Sequence, residues 1–553
     1  MHLRLAIMLF AIAIAIAIAL PASATTLFHH ADIRTLDADN RRAEAMVVGE
    51  DGRILALGAV DQLARDYPAA RHHDLGGGVV LPGLIDAHGH LLNLGLALLS
   101  ADLVGARSKD EVVQRLLRFA ATLPPRAGLT GRGWDQNLWP EAEFPTAADL
   151  DAAFPDRPVW LRRVDGHASW GNSAALRAAT RELSGDWHPE GGRILRDDDG
   201  HATGVFIDTA MALIQAPQPD AAFRRRALEM AVAEAARLGL TGVHDAGMNL
   251  EALGFLREMA EAGRLPIRVY AMADGDGATL DWLCENGPYQ HPGGRLTMRA
   301  VKLYADGALG SRGAALIADY SDDPGNRGLL VTAEDRLRAA VTKALRCDIQ
   351  VATHAIGDRA NRSVLDLYRD LVADAARPAL RLRIEHAQIV ARDDLPRFAE
   401  LGVIASMQPI HATSDIPWAG LRVGRDRLYG AYAWQRLIES GARLAFGSDF
   451  PVEPVNPAFG LYAALTRQDV DGDPPGGWLP DQRLDLETTL RAFTLGAAYA
   501  GFADDEVGSL AVGKRADFIV VDQDPFVLDP QALRAIKVRA TYLDGLSAAA
   551  SDP

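Results

Sequence analysis

The chain has 553 residues, of which 48% are hydrophobic and 24% charged, so it can bury a large core and exceeds the size at which one core usually stops growing. Its formal net charge of −16 argues against a nucleic-acid-binding surface, which would need clustered lysine and arginine. The 2 cysteines, Cys284 and Cys347, are too few for a fold built on disulfides, and whether they pair stays open. Composition therefore favours one large globular domain with a smaller one.

The first 24 residues have the pattern of a secretory signal. His2 and Arg4 precede an apolar run from Leu5 to Leu20, and Pro21-Ala-Ser-Ala24 supplies small residues for cleavage. An uncleaved membrane anchor is the alternative, but about 16 apolar residues fall short of the ~20 that a spanning helix needs. The pattern predicts a signal peptide over residues 1–24, a periplasmic or secreted protein, and no stable membrane insertion after cleavage.

Short strands separated by turns occur near both ends of the mature chain. Ala45-Met-Val-Val-Gly49 is typical of the first set, and Phe518-Ile-Val-Val521 of the second. Neither set is large enough to form a core of its own. We therefore expect residues 25–82 and 503–553 to pair in one small β-domain, with residues 83–502 inserted between them.

Apolar strands alternate with helical stretches from His88 to about Gly501. Helices are predicted over residues 221–238, 333–346 and 359–376. This alternation indicates parallel strands with crossover helices. A closed (β/α)8 barrel needs ~250 residues, and the stretch from His88 to Asp449 is roughly a hundred residues longer. We expect an insertion at about residues 93–219, made of loops and short strands that cover one end of the barrel.

Five apolar runs end in residues with metal-binding chemistry. The first run carries His88 and His90, whose i, i+2 spacing places both side chains on one face of a strand. The later runs carry, in chain order, Lys302, His354, His386 and Asp449. Strand ends converge on one face of a barrel, so these residues can meet although they are far apart in sequence. Imidazoles and a carboxylate form a mixed donor set suited to Zn²⁺ or a neighbouring first-row metal.

Lys302 is the unusual member of this set, because an ammonium group cannot bind a cation. A lysine buried among cations would lose its proton, and the free amine can add CO₂ to become a bridging carbamate. A salt bridge from Lys302 to Asp306 or to another acid is the alternative.

These motifs resemble those of the amidohydrolase superfamily and, within it, the YtcJ-like branch of the amidohydrolase 3 group, which is similar to N-substituted formamide deformylases. The resemblance is carried by the segments Pro82–His90, Val301–Gly307, Thr353–Ala360, Glu385–Gln388 and Gly447–Glu453. It implies an α/β fold, a distorted TIM (β/α)8 barrel beside a small β-sandwich domain formed by both chain ends.

The resemblance also implies a site with two zinc ions. His88 and His90 would hold one ion together with Asp449, His354 and His386 would hold the second, and carbamylated Lys302 would bridge them. A water between two cations loses a proton near neutral pH, so the attacking group would be a metal-bound hydroxide. Asp449 would be the catalytic residue that carries the proton to the departing nitrogen. Because family members differ in metal number, one metal stays an alternative.

Four further residues are candidates for substrate binding. The resemblance suggests that His167, in Asp165-Gly-His-Ala-Ser-Trp170, approaches the substrate. Trp134 is a candidate wall of the pocket. Asp306 and Arg312 follow the lysine strand, and Arg312 could pair with a substrate carboxylate.

The predicted function is metal-dependent hydrolysis of a carbon–nitrogen bond other than a peptide bond, in an N-acyl or N-formyl amine or amino-acid derivative. A cyclic-amide hydrolase or a deaminase of the same superfamily is the alternative, although Lys302 argues against a deaminase. A non-catalytic exported binding protein is disfavoured by the intact set of six metal positions. The expected partner is a small-molecule amide, and a homodimer is left open.

Overall fold

The computed structural model describes residues 25–123, 128–164, 166, 168–189, 192–215, 220–375 and 380–550. The predicted signal peptide at residues 1–24 and the candidate His167 lie outside the described residues. In the described part of the chain, no helix is long and apolar enough to cross a membrane.

A parallel sheet forms the centre of the molecule. Its main strands are β1 Leu84–Gly89, β2 Leu240–Met248, β3 Arg268–Ala273, β4 Leu296–Tyr304, β5 Gln350–Ala355, β6 Arg383–His386, β7 Ile404–Met407 and β8 Arg443–Phe446, and each is hydrogen-bonded to the next. The strand Tyr289–Gln290 adds to β4 in antiparallel orientation.

The sheet closes where the chain leaves β8. The amide of Asp449 donates to the carbonyl of His88 at 2.7 Å, and the amide of His90 donates to the carbonyl of Phe450 at 2.9 Å. The strands therefore form a nearly closed, TIM-like barrel, which confirms the predicted fold class. The closure also joins the ends of β1 and β8, which carry three of the predicted metal ligands.

Helices cover the outside of the barrel, so its strands are buried on both faces and contain long apolar runs. The predicted helices at residues 221–238, 333–346 and 359–376 are observed as Ala221–Arg237, Glu334–Arg346 and Asp358–Ala375. The other helices near the barrel are Leu91–Leu98, Leu250–Glu261, Ala278–Asn286, Leu395–Glu400, Pro409–Ser414, Ala419–Arg427, Trp434–Glu439, Pro457–Thr466, Leu486–Arg491 and Ala497–Ala500.

Strands from both chain ends form one mixed sheet. Its members are Thr26–Arg34, Arg42–Ala43, Ala45–Val48, Ile54–Gly58, Arg71–Pro82, Phe518–Val521, Val538–Leu543 and Leu546–Ala550, and the helix Val60–Asp66 connects two of them. The strand Arg71–Pro82 is central, because it pairs parallel with Thr26–Arg34 and antiparallel with Phe518–Val521. The expectation that the two ends pair with each other is therefore confirmed.

The mixed sheet leads directly into the barrel. Only Gly83 separates the central strand Arg71–Pro82 from β1. A Cβ atom at Gly83 would lie 2.1 Å from Oγ1 of Thr241, so this close approach requires glycine. The position of the first histidine pair is thus fixed by two strands, one in each sheet, that are joined through Gly83.

The segment between β1 and β2 contains a third sheet. Its strands are Ala101–Asp102, Leu129–Trp134, Val159–Arg163, Ala168–Gly171, Gly192–Arg196 and Ala202–Asp208, and its helices are Lys109–Ala120, Ala147–Asp151 and Ser173–Leu176. Trp134, Trp139 and Trp170 pack together in a core of its own, with ring centres 6.0 to 6.2 Å apart. Where the sequence indicates loops and short strands, the structure has a sheet with a separate hydrophobic core.

Cys284 and Cys347 form a disulfide. Cys284 lies in the helix Ala278–Asn286, and Cys347 follows the helix Glu334–Arg346. The bond therefore links two helices that follow consecutive barrel strands, and it answers the question that the sequence left open.

Candidate metal centre

The six predicted ligands all lie at the carboxyl ends of barrel strands. They are His88 in β1, His90 directly after it, Lys302 in β4, His354 in β5, His386 at the end of β6 and Asp449 after β8. We call these six residues the metal centre. His88 and Lys302 are almost completely buried, at 0% and 1% exposure. A buried lysine among histidines is the arrangement that the sequence predicts.

Three of the six form a compact donor group around one point. Donor atoms of His88, His386 and Asp449 all lie within 4.8 Å of one another. Nε2 of His88 is 3.6 Å from Oδ1 of Asp449, and Nε2 of His90 is 3.1 Å from the same oxygen. Oδ1 of Asp449 therefore faces both His88 and His90, as expected if all three residues bind the same ion.

His354 and Lys302, the two predicted ligands not yet described, adjoin this group. The rings of His354 and His386 have centres 4.5 Å apart. Nζ of Lys302 lies 4.4 Å from the ring centre of Tyr304, whose own ring is 5.6 Å from that of His354. Among the described residues, Lys302 makes no ion pair with Asp306. Three backbone amides, those of Ala315, Ile356 and Gly357, donate to the Asp306 carboxylate instead.

The buried imidazoles are neutral near pH 7. Burial, followed by the charge of Lys302, lowers the pKa of His88 to about 4 and that of His354 to about 3. Burial also lowers the pKa of His386 well below its usual value, and the neighbouring His354 adds to this effect. Neutral imidazole is the form that binds a metal, and Nε2 of His88 is buried without a hydrogen-bond partner in the described structure. The donor set therefore fits a divalent cation.

A buried ion pair orients His88. Its Nδ1 donates to Oε2 of Glu385 at 2.5 Å, and Nε of Arg383 donates to Oε1 of the same carboxylate at 2.7 Å. Arg383 also donates to the hydroxyl of Ser406 and lies 2.9 Å from Nδ1 of His244. Because Nδ1 of His88 is engaged, Nε2 is left facing the centre. In the same way, Nδ1 of His386 donates to Oε1 of Gln408 at 2.9 Å.

A second buried carboxylate fixes the backbone around the ligands. Asp86 accepts hydrogen bonds from the amide of His88 and from the amide and hydroxyl of Ser448. Its side chain is thus shared between β1 and the segment after β8. Burial raises the pKa of Asp86 to about 7, the hydrogen bonds notwithstanding. The contacts hold His88 and the neighbouring Asp449 in a fixed relation.

His411 is a functional candidate that the sequence interpretation missed. Its Nε2 lies 3.3 Å from Oδ2 of Asp449, and its Nδ1 lies 2.9 Å from Oε1 of Glu453. Burial opposes protonation of His411, but hydrogen bonds to these two carboxylates hold its pKa well above the usual value. Burial likewise raises the pKa of Asp449, but hydrogen bonds from His411 and His90 keep it well below its usual range. An imidazolium therefore stabilises the ionised ligand.

The signal that could have identified His411 is weak. It lies four residues beyond β7, in Met407-Gln-Pro-Ile-His411, where the chain has already turned into a short helix. Its partner Glu453 belongs to the quoted segment Gly447–Glu453 but has no ligand spacing of its own. The absence of a predicted ligand on β7 does not single it out, because β2 and β3 supply none either.

The candidate substrate residues have other partners in the structure. Nη2 of Arg312 donates to Oδ2 of Asp322 at 2.9 Å, and Asp322 also pairs with Arg422. Trp134 is fully buried in the inserted sheet, where its indole nitrogen donates to the carbonyl of Leu161 at 3.0 Å. Their roles in substrate binding, and those of Asp306 and His167, stay predictions.

Tyr304 is placed to contact a substrate, although it was not among the candidates. Its ring adjoins Lys302 and His354, yet 41% of its surface is exposed. An exposed aromatic ring beside buried ligands is a wall that a bound molecule can contact.

Comparison with known proteins extends over nearly the whole chain. A family model described as "Amidohydrolase family" matches residues 71–548. YtcJ of Bacillus subtilis (strain 168), a protein named as an amidohydrolase, is 33% identical over 530 residues, which cover 94% of this chain and 98% of that protein. An N-substituted formamide deformylase of Arthrobacter pascens is 29% identical over 548 residues, covering 94% and 97% of the two chains.

A solved structure supports the same likeness at the level of the fold. The crystal structure of an uncharacterized metal-dependent hydrolase from Pyrococcus horikoshii aligns with a TM-score of 0.76 and 31% identity. The alignment covers 92% of this chain and 99% of that one. The likeness therefore includes the mixed sheet and the inserted sheet as well as the barrel.

Proposed function

The chain belongs to the amidohydrolase family, and from that premise we propose that it hydrolyses a carbon–nitrogen amide bond in an N-acyl or N-formyl amine or amino-acid derivative. The observation that carries the proposal is the metal centre, in which four imidazoles, a carboxylate and a buried lysine lie together at the barrel's carboxyl end. The relative from Arthrobacter pascens is named as a deformylase of N-substituted formamides, and this name supports the choice of an amide as substrate.

The chain's own residues would suit a centre of two zinc ions. His88, His90 and Asp449 would hold one ion, and His354 and His386 the other, with Lys302 as a bridging carbamate. Burial, the largest cause of the lowered pKa of His88 and His354, does not depend on the charge of Lys302, and neutral imidazoles there and an ionised Asp449 are the states that such binding requires. Bound divalent cations would supply Lewis acidity, which polarises a carbonyl and eases the deprotonation of water.

The surrounding side chains would position the substrate and move the proton. Asp449 is the candidate proton carrier, because its second oxygen faces His411 rather than the histidines of β1. His411 and Glu453 would keep Asp449 oriented toward the reacting bond. The ring of Tyr304 would cover one side of the substrate.

We also propose that the protein is exported and acts on a small molecule. The signal pattern of residues 1–24 motivates export, and the disulfide between Cys284 and Cys347 supports it, since such bonds persist in oxidising compartments. The acidic net charge of −16 supports the absence of a nucleic-acid partner. Fractionation of cells that express the full chain would test the location.

A substrate screen tests the activity. Purified protein loaded with zinc is incubated with N-formyl amines, N-acyl amines and N-acyl amino acids, and release of the free amine is measured. We expect turnover of at least one class, with Asp449→Asn inactive in parallel and Asp481→Asn, an exposed partner of Arg436, fully active.

The same screen, with cyclic amides included, separates the alternatives. Ring opening of cyclic amides without amine release would favour a cyclic-amide hydrolase, and ammonia release would favour a deaminase. Saturable binding of amides without any product would indicate a binding protein and contradict the proposal.

A further inference from the structure

Several histidines lie together on the mixed sheet, away from the metal-centre residues in sequence. His29 and His30 belong to the strand Thr26–Arg34, and His72 belongs to the strand Arg71–Pro82 together with Asp74. The two strands are parallel neighbours, with His29 opposite Asp74 in register. Three imidazoles and one carboxylate therefore lie on adjacent strands, but their donor atoms are not gathered as closely as those of His88, His386 and Asp449, so the side chains would have to turn toward a bound ion.

Strand alternation separates this group from the neighbouring His73. The ring of His73 lies 5.0 Å from that of Phe28, and its Nε2 is 3.0 Å from the hydroxyl of Tyr542, so it belongs to the packed face. The residues next to it in the strand, His72 and Asp74, point to the opposite face. Both of these side chains are exposed, although Leu27 on the same face is buried against Leu63 of the helix Val60–Asp66.

His30 joins this face through a local distortion. Its φ of 57° coincides with a shift of register between the two strands, and its Nδ1 comes within 2.9 Å of Oδ1 of Asp74. The amide of Gly76 donates to the same oxygen at 2.7 Å. The amide of Gly76 and then the imidazole of His30 hold the pKa of Asp74 below its usual range, so the carboxylate is ionised at neutral pH.

The ring spacing matches that of imidazoles around one ion. The rings of His29 and His72 have centres 5.3 Å apart. Two imidazoles that bind a tetrahedral ion at about 2.1 Å place their ring centres on the order of 5 Å apart. Within the metal centre, the pair His88 and His386 is 4.9 Å apart, and the pair His88 and His90 is 5.6 Å apart.

We propose that His29, His72 and Asp74, with His30 as the fourth donor, form a surface metal site for an imidazole-preferring divalent ion such as Zn²⁺, Ni²⁺ or Cu²⁺. We call these four residues the surface histidine site. A bound ion would tie the first strand of the mixed sheet to its central strand. The site is independent of the proposed hydrolysis, because none of its residues belongs to the metal centre.

The test uses untagged full-length mature protein whose metal centre has been filled with zinc. Titration calorimetry with Ni²⁺ should detect one additional saturable equivalent, while elemental analysis verifies that no zinc is displaced. The double variant His29→Ala/His72→Ala should bind this ion at least tenfold more weakly. His201→Ala removes an exposed histidine that pairs with Asp197 in the inserted sheet, and it should bind as the parent does.

A second variant protects the test against misfolding. Asp74→Asn keeps every imidazole and changes one exposed oxygen, so it should fold normally and still weaken Ni²⁺ binding. The proposal is overturned if the parent binds no additional equivalent, if both variants bind as the parent does, or if His201→Ala causes the same loss. Unchanged amide turnover in the double variant would confirm that the additional ion is not the catalytic one.

Discussion

The metal centre and the surface histidine site contain similar donor atoms in opposite surroundings. In the metal centre, His88 is fully buried and its Nδ1 is held by Glu385, which is itself paired with Arg383. In the surface histidine site, His30 and Asp74 contact each other while both side chains stay about 60% exposed.

We infer from this difference what a group of ligands needs to become a reactive centre. Burial keeps the imidazoles neutral and raises the electrostatic effect of every nearby charge, and the buried ion pair fixes the direction of each donor. At the surface, water screens the charges and the side chains keep their rotamer freedom. We therefore expect catalysis at the first place and binding alone at the second.

Metal removal should produce the largest effect. Chelation should abolish amide turnover, and added zinc should restore it, because the attacking water would depend on bound cations for its activation. Elemental analysis should find close to two ions per chain in protein whose surface histidine site has been mutated. Active protein without bound metal would contradict the whole assignment of the centre.

Asp449→Asn should come next in size. Asparagine keeps the shape and one ligating oxygen but cannot accept a proton, so kcat should fall by about 10²–10⁴ while metal content changes little. The control is Asp481→Asn, which changes a surface ion pair with Arg436. Turnover within a few-fold of the parent would place the proton carrier elsewhere.

Lys302→Ala should remove the proposed carbamate bridge of the metal centre. We expect a lower metal content and a fall in turnover of at least tenfold, with partial recovery when bicarbonate or a short carboxylic acid is added. Lys343→Ala, which removes a surface partner of Asp281, is the matched control. Full metal content and full rate in the variant would make Lys302 a structural residue.

The sequence predicted the positions of the ligands at strand ends because each lies where an apolar run stops. The observed helix Ala221–Arg237 differs from the predicted one by a single residue for a related reason, since its apolar periodicity is long and uninterrupted. The pairing of the chain ends was likewise predictable, because isolated short strands need partners.

The remaining features depend on contacts that periodicity does not encode. His411 reaches Asp449 from a short helix, and Glu453 lies 42 residues away from it in the chain. The inserted sheet has glycines inside its strands, as in Leu129-Thr-Gly-Arg-Gly-Trp134, which read as loops. The sequence shows Arg383 and Glu385 two residues apart on a strand, yet it does not show that they point at His88.

Glu385→Gln tests whether the buried ion pair beside His88 prepares the metal centre. The change leaves Arg383 as a buried charge without its carboxylate and weakens the orientation of His88. We expect a loss in metal affinity of about 10- to 100-fold, measured by competition with a chelator. Asp504→Asn, which changes the partly exposed pair with Arg381, should leave the affinity unchanged. Equal affinities would mean that burial alone, without the ion pair, prepares the centre.

Asp74→Asn is the corresponding change at the surface, and it should have the smallest effect on the protein itself. The exposed contact between His30 and Asp74 contributes little to stability, because water solvates both partners almost as well when they are apart. The Asp74 carboxylate also accepts the amide of Gly76, and an asparagine oxygen can accept that hydrogen bond as well. Without added Ni²⁺, the melting temperature and the amide turnover of the zinc-loaded variant should therefore equal those of the parent.

Added Ni²⁺ should raise the melting temperature of the parent more than that of the variant, because a ligand that binds only the folded state stabilises it. A large drop in melting temperature without metal would show that Asp74 is a structural residue of the sheet, and the contrast with Glu385 would then fail.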